Sequence, residues 1–254
     1  MQVHPAAAAG FARGAQTYVR GRPDFPPAVR DWLRDDLALR EGKIVLEPGA
    51  GTGKFTAHLL ATGAHVIALD PVAEMLDELR RGLPQVTTLR GSAASIALAD
   101  SSVDAVVCAQ SFHWFATPEA LAEMRRVLKP GGTLGLIWNK RDTSVDWVAK
   151  ITTLIAPYEG DAPRYDHGEW RYLFPAQGFT PLQERSFPHH HTGSPEHVIL
   201  DRVASISFIA ALDTAEREQL LAKVRELIDT TPALAGRNEV TFPYVTLAYH
   251  CTRL

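Results

Sequence analysis

The chain has 254 residues, of which 46% are hydrophobic and 22% are charged, and its formal net charge is −3. This composition is typical of a soluble globular protein, and the small negative charge argues against a nucleic-acid surface, which would be basic. The sequence has no apolar run of membrane-spanning length and no basic start of a secretory signal, so we expect a cytoplasmic protein whose two cysteines are free buried thiols.

The first forty residues are predicted to form an arm followed by a helix. Between Tyr18 and Pro26, aromatic and arginine residues alternate with glycine and proline. The Pro26-Pro27 pair then opens a predicted helix that runs to about Arg40. Its inner face carries Trp32, Leu33 and Leu37.

A strand, a glycine-rich turn and a helix follow between residues 43 and 60. The apolar run 43–46 predicts a buried strand, and Gly49, Gly51 and Gly53 predict a turn at which a ligand approaches bare backbone. The spacing does not fit the phosphate-binding Gly-x4-Gly-Lys-Ser/Thr loop, and it fits the dinucleotide pattern Gly-x-Gly-x-x-Gly poorly. Glu47 precedes the glycines, where its charge would repel a pyrophosphate and attract an ammonium or sulfonium group. A tight turn without a ligand is the alternative.

The second strand is predicted at 65–69 and ends at Asp70. A carboxylate at that strand tip, about 20 residues beyond the glycine turn, is placed to bind ribose hydroxyls. The alternative role is an N-cap of the next helix, with Pro71 at its first position.

The following elements continue the alternation of strand and helix. We predict strands at 86–90, 103–109 and 133–138, and helices at 72–81 and 118–128. The loop after the fourth strand, 110–115, should border the ligand crevice, because the switch point of such a sheet lies between its first and fourth strands. The alternation predicts a doubly wound, mostly parallel sheet over a core of residues 41–139.

Five motifs in this order resemble those of the class I S-adenosylmethionine-dependent methyltransferases, over roughly residues 15–140. They are the Glu-x-Gly-x-Gly-x-Gly run from Glu47, the Asp70-Pro71 tip, the Gly91-Ser92-Ala93 loop, the His113-Trp114 pair, and the turn Leu128-Lys129-Pro130-Gly131-Gly132. The arm from Tyr18 to Pro26 is also similar to one branch of small methyltransferases, in which it folds over the cofactor. A solvated leader with a packed tyrosine is the alternative.

The resemblance implies an enzyme with a seven-stranded Rossmann-like sheet that uses S-adenosylmethionine and releases S-adenosylhomocysteine. The implied cofactor-binding residues are Tyr18, Glu47, Gly49, Ala50, Gly51, Asp70, Pro71, Met75, Ser92, Ala93, Gln110 and Ser111. The methyl acceptor is expected to be a small molecule attacking through oxygen, nitrogen or a carboxylate, and its candidate contacts are Tyr18, Arg22, Trp114, Trp138 and Arg141. Arginine pairs with carboxylates through two hydrogen bonds, and these aromatic residues suit a planar molecule.

Residues 140–254 are predicted to complete the sheet and to cover the substrate. A sixth strand is expected near 182–187 and a last, antiparallel strand at 241–251, while 140–178 and 188–235 are interpreted as helical additions. Asp213 is predicted to cap a long amphipathic helix. The histidines at 189–191 follow the sixth strand in this interpretation and are solvated or line the substrate site, because no ligand spacing supports a metal.

His113 is the candidate catalytic residue. A neutral imidazole there takes a proton from the acceptor, or instead packs against Trp114 and shapes the pocket. Two alternatives to a small-molecule enzyme stay open at this point: a non-catalytic methyltransferase-like regulator, and a methyltransferase acting on a macromolecule. A nicotinamide oxidoreductase is a weaker third. We expect a monomer or homodimer that binds neither nucleic acid nor membrane.

Overall fold

Residues 21–254, which the computed structural model describes, contribute seven strands to one sheet, in the order β3-β2-β1-β4-β5-β7-β6. The strands are β1 (Ile44–Pro48), β2 (His65–Asp70), β3 (Thr87–Arg90), β4 (Val103–Ala109), β5 (Leu128–Arg141), β6 (Gln183–Gly193) and β7 (Val240–Thr252). The first five are parallel, and β7 runs antiparallel to both β5 and β6. The predicted α/β class and the antiparallel last strand are therefore confirmed.

Five helices of at least five residues are α-helical throughout in this part of the chain. They are α1 (Thr56–Leu60), α2 (Ala73–Gly82), α3 (Pro118–Val127), α4 (Asp146–Ile155) and α5 (Thr214–Thr230). Two helices have side-chain caps: Thr117 accepts a hydrogen bond from the amide of Ala120, and Asp213, the predicted cap, accepts one from the amide of Glu216. These side chains satisfy amides that the first helical turn leaves without a partner.

The sheet buries apolar residues on both faces, as a parallel sheet covered by helices must. Val45 and Val107 belong to the cluster that also holds Trp32, while Leu46 and Val106 belong to the opposite cluster. A third cluster packs residues of α4 and α5 together with Val240, Phe242 and Tyr244 at the start of β7. The second and third clusters flank the site described below.

The predicted helix from Pro26 to Arg40 is wrong in type and length. A single α-turn, Val29–Asp31, continues as a π-helix, Trp32–Asp36, and the amide of Leu37 bonds back to the carbonyl of Trp32. Ala38 then takes a positive φ of 52° and ends the helical path. The three apolar residues predicted to face inward are nevertheless buried.

The sixth strand is longer than predicted, because it continues to Gly193 and contains the three histidines. Pro188 is tolerated within it because β6 pairs only with β7 and is an edge strand. His189 is buried and His190 is exposed, as alternation along a strand requires. The idea that 188–193 is helical is therefore wrong, as is the idea that His189 is solvated.

The predicted turn Leu128-Lys129-Pro130-Gly131-Gly132 lies inside β5 rather than before it. The pairing of β4 with β5 shifts register between Val103 and Ala105, and Gly131 has a φ of +75°. The segment thus works as an irregular start to the strand. None of the helices described has the length and apolar character needed to cross a bilayer.

Candidate active site

The glycine turn joins β1 to α1 at the carboxyl edge of the sheet, beside β2 and β4. The amides of Gly49 and Ala50 donate to the carbonyl of Leu69, at 2.7 and 3.2 Å, and fasten the turn to β2. Gly49 and Gly51 have φ values of +72° and +56°. A Cβ at Gly49 would lie 2.5 Å from the Cβ of Ser111, whereas a Cβ at Gly51 would meet no atom within 4 Å. Gly49 therefore permits packing against the loop after β4, and Gly51 leaves bare backbone facing open space.

Asp70 at the end of β2 braces the same turn. Its Oδ2 accepts a hydrogen bond from the amide of Gly51, and its Oδ1 accepts one from the amide of Val72, both at 2.9 Å. Burial raises the pKa of this carboxyl, and the two amides oppose that rise. The N-cap of α2 is Val72, so the alternative role of Asp70 as the N-cap is wrong.

Glu47 lies at the floor of the cleft and is only 1% exposed. The hydroxyl of Thr56 donates to its Oε2 at 2.5 Å. Burial raises the pKa of Glu47 to about 8, with a further contribution from the charge of Asp70. A cationic ligand group beside Glu47 would favour the ionised carboxylate.

The segment 21–25 covers the cleft, which Arg22, Pro23 and Phe25 line. Lys54 donates to the carbonyl of Arg22, and the Nδ2 of Asn139 donates to the carbonyl of Asp24 at 2.8 Å. These contacts hold the segment over the glycine turn. The predicted contact residue Tyr18 lies outside the described residues.

The loop after β4 forms the opposite wall. Gln110 has a φ of 55°, and the Ser111 hydroxyl donates to the carbonyl of Pro48 at 2.9 Å. Together with Trp114 and Phe115 they line the cleft. The loop is thereby fixed to the strand that carries Glu47.

His113 lines a second cavity and is not among the residues that line the cleft. The indole Nε1 of Trp138 donates to its Nδ1 at 3.1 Å. Because an indole N–H is only a donor, Nδ1 is an acceptor and the neutral ring carries its proton on Nε2. Burial, together with the positive charges of Arg164 and Arg22, lowers the pKa of His113 to about 3.

The second cavity has a volume of about 370 Å³ and adjoins the cleft. Its walls come from the loop after β4, the end of β5, and the segments 159–167 and 202–208. Four residues line both spaces: Arg22, Gln110, Trp114 and Arg202. The two spaces therefore meet at one junction.

The structure brings most of the predicted site residues together. Those that line the cleft are Arg22, Glu47, Gly49, Ala50, Gly51, Asp70, Pro71, Met75, Gln110, Ser111 and Trp114. Those that line the second cavity are Arg22, Gln110, His113, Trp114, Trp138 and Arg141. Ser92 and Ala93 follow β3 but are not among the residues lining either space, so their contact with an adenine stays a prediction.

Sequence reasoning missed Arg202, Arg164 and Phe25. The two arginines lie far from the glycine turn along the chain and have no local motif around them. Phe25 belongs to the segment that the sequence predicts as a cover, and its ring packs edge-on against Phe55 at 4.7 Å. Within residues 21–254, no group of three His, Cys, Asp or Glu side chains could hold a metal ion.

The sheet order, the glycine turn and the acidic tip of β2 define the class I methyltransferase architecture. Residues 46–136 match the family model described as a methyltransferase domain. An uncharacterized methyltransferase-like protein of Schizosaccharomyces pombe is 40% identical over 242 residues, which are 94% of this chain and 93% of the relative. An uncharacterized methyltransferase of Mycobacterium tuberculosis is 41% identical over 95% of each chain. The chain belongs to the class I S-adenosylmethionine-dependent methyltransferases and is an enzyme.

A solved structure agrees in fold. A protein from Anaeromyxobacter dehalogenans, assigned provisionally to the type II methyltransferases, superposes with a TM-score of 0.67 at 24% identity. The match covers 91% of this chain and 97% of that one. At this identity the likeness shows the architecture alone.

Proposed function

We propose that this enzyme holds S-adenosylmethionine in the glycine-turn cleft and methylates a small molecule in the adjoining cavity. The observation that carries the proposal is the junction at which Arg22, Gln110, Trp114 and Arg202 line both spaces. A cavity of about 370 Å³ is within the range of small-molecule sites. We further propose a cytoplasmic enzyme, monomeric or homodimeric, that acts on neither nucleic acid nor membrane.

The residues of the cleft fit the cofactor. Asp70 holds the turn through one lone pair on each oxygen and keeps others for the ribose hydroxyls. Glu47 is a buried carboxyl suited to the cationic amino group, and the open space beside Gly51 leaves room for the backbone to approach the ligand. Pro71, Val72 and Met75 supply the apolar wall for the adenine. Bound there, the cofactor supplies a methyl group attached to a sulfonium sulfur, and this sulfur is a good leaving group.

The contribution of this chain to the reaction is alignment and exclusion of water. Segment 21–25 covers one side of the junction, and Trp114 forms another wall. An acceptor in the second cavity is thereby confined beside the cleft. His113 offers its Nε2–H to that acceptor as a hydrogen-bond donor.

The test is incubation of the full chain with methyl-labelled S-adenosylmethionine and a metabolite extract divided by size. We expect the label in a product of low molecular mass. Label that appears only in protein or RNA would contradict the small-molecule acceptor, and no labelled product in either fraction would favour a non-catalytic regulator.

Asp70 gives a separate test of the cofactor site. Asp70→Ala removes the charged acceptor of the ribose hydroxyls and the brace on Gly51, so we expect affinity for S-adenosylhomocysteine to fall by about 1.5–3 kcal/mol or more. Asp77→Ala, at an exposed position on α2, is the matched control. Calorimetry that finds equal affinity in both variants would remove Asp70 from the site.

A further inference from the structure

The second cavity, which is the proposed acceptor site and is called the acceptor cavity below, is lined by unbalanced charges. Among residues 21–254, five cationic side chains line it and two carboxylates do. The cations are Arg22, Lys140, Arg141, Arg164 and Arg202, and the carboxylates are Glu159 and Asp166. A cavity of this composition attracts an anion.

Both carboxylates are already engaged. Glu159 forms an ion pair with Arg164, and Asp166 lies 3.3 Å from Lys140 and 4.0 Å from Arg164. These pairs account for two of the five cations. With five cations and two carboxylates, the described wall of the cavity carries an excess of three positive charges.

Among the described residues, Arg202 is the clearest example of a cation in this cavity with nitrogens that lack hydrogen-bond acceptors. The residue is 8% exposed, and its Nε and Nη1 have no hydrogen-bond partner among residues 21–254. A buried guanidinium with two unpartnered nitrogens is costly, which makes it a ready site for a ligand that supplies acceptors. Arg202 stands at the junction with the cofactor cleft.

Arg141 is the second such group. Its described polar contact is one neutral hydrogen bond, from Nη1 to the hydroxyl of Thr152 at 3.3 Å. Burial and the nearby charges of Arg202 and Arg164 lower the pKa of Arg141 to about 9. Arg141 lines only the acceptor cavity, whereas Arg202 also reaches the cleft.

The junction offers no base among the described residues. Its lining is two arginines, an amide and an indole: Arg22, Arg202, Gln110 and Trp114. His113, nearby, has its proton on Nε2 and its Nδ1 engaged. None of the described residues of the junction takes a proton from an alcohol, whereas an ionised carboxylate has no proton to lose.

We propose that the methyl acceptor is a carboxylate anion, held by Arg202 and Arg141, and that the product is its methyl ester. The proposal rests on the proposed function. One carboxylate oxygen forms the new O–C bond with the methyl carbon as the C–S bond of the sulfonium breaks. The electron pair of that bond stays on sulfur, which becomes a neutral thioether. The charges of carboxylate and sulfonium cancel, and no proton is released.

The chemistry of the product tests the proposal. The enzyme is incubated with methyl-labelled S-adenosylmethionine and a low-molecular-mass metabolite extract, and the labelled product is then treated with mild alkali. An ester releases its label as volatile methanol, whereas methyl groups on nitrogen, carbon or an ether oxygen stay bound. We expect volatile label from the product.

Variants connect the product to the two arginines. Arg202→Gln and Arg141→Gln should each lower kcat/KM by about 10- to 100-fold, because each loses a charge-assisted pair with the acceptor. Arg225→Gln, an exposed change on α5, should leave it unaltered. Affinity for S-adenosylhomocysteine should not change in Arg141→Gln, since Arg141 does not line the cleft. Thermal unfolding checks that each variant is folded. If Arg202→Gln does not fold, Arg141→Gln alone tests the role of the arginines.

The outcomes separate the two proposals. A labelled small product that resists alkali would overturn the carboxylate acceptor and leave the proposed function standing. Volatile label that forms at the same rate in both arginine variants would overturn the role of the arginines. The absence of any labelled small product would overturn the proposed function, and this inference with it.

Discussion

His113 shows how one hydrogen bond decides a chemical role. The sequence leaves proton acceptance and pocket packing open, since both suit a histidine after the fourth strand. The bond from the Trp138 indole puts the ring proton on Nε2, and burial holds the pKa at about 3. The ring is therefore neutral across pH 5–8 and presents a donor to the cavity.

His113→Gln tests that role. Glutamine keeps a donor, so we expect kcat to fall by about 10-fold or less, and the pH profile between 5 and 8 to keep its shape. A general base would instead lose about 10²-fold or more, together with the acid limb of the profile. The measurement is kcat against pH for both proteins, with Trp138→Phe as a variant that frees Nδ1. An acid limb that disappears in His113→Gln would show that the histidine is the base.

Glu47 links the cofactor site to stability. Its folded pKa is about 8, against 4.5 for the ordinary carboxyl, so between these values the folded protein binds a proton that the unfolded chain has lost. The free energy of unfolding contributed by this group is therefore fully present below about pH 4.5 and is lost as pH rises to about 8.

Glu47→Gln should remove this pH dependence. The stability difference between Glu47→Gln and the native protein should move in favour of the variant as pH rises from 5 to 8, by up to about 1.4 kcal/mol per pH unit. Urea unfolding of both proteins at several pH values measures it. A difference that stays constant with pH would mean that Glu47 is ionised in the folded protein.

At the scale of the element, the glycine turn combines two separate constraints. Gly49 is required by the packing of the turn against the loop that carries Ser111, whereas Gly51 faces open space. Two glycines separated by one residue thus meet different constraints, close packing at Gly49 and open space at Gly51.

The pair Gly49→Ala and Gly51→Ala separates these constraints. Each substitution lowers the free energy of unfolding by roughly 1–2 kcal/mol, because it places a side chain at positive φ. Gly49→Ala also clashes with Ser111, so we expect it to lose clearly more stability. Gly51→Ala should stay folded and lose cofactor affinity, because its methyl group occupies ligand space. Thermal unfolding and calorimetry with S-adenosylhomocysteine measure both effects, and equal stability losses in the two variants would contradict this division.

The strands and their caps show where local rules suffice. Strands β1 to β5 and helices α1, α2, α3 and α5 lie where hydrophobic periodicity and capping residues place them, with boundaries shifted by a few residues. The π-helix after Asp31 and the strand through Pro188 were missed, because each depends on contacts outside its own segment. Trp32 packs against Gly135 in β5, and β6 takes its register from β7.

At the scale of the whole molecule, the start of the described chain and the segment around Arg202 and Ser205 meet at the same cleft. Segment 21–25 is held by Lys54 and Asn139, and its Arg22 also reaches the carbonyl of Ser205 at 3.3 Å. The cover is therefore assembled from parts more than 180 residues apart along the chain.

Removal of residues 1–22 tests this cover. Phe25 packs in the core and is retained, so we expect a folded sheet with a cooperative thermal transition. Turnover should fall by about 10- to 100-fold, because the acceptor is less well confined. Lys54→Met, which removes one tether, should give a smaller loss in the same direction, and Lys223→Met on α5 should give none. Unchanged turnover in the truncated enzyme would contradict a covering role.

The sequence by itself determined the class of the protein, the positions of its first five strands along the chain, and the glycine turn with Asp70 as a candidate site. These follow from patterns within a few residues, such as apolar periodicity, glycine spacing and acidic strand tips. Such patterns can be recognised without knowing the tertiary contacts. Only the tertiary structure decided the proton position on His113, the pKa of Glu47 and the presence of Arg202 at the junction. Each depends on burial and on neighbours distant in sequence, and desolvation by a folded chain has no signature in the local pattern of residues.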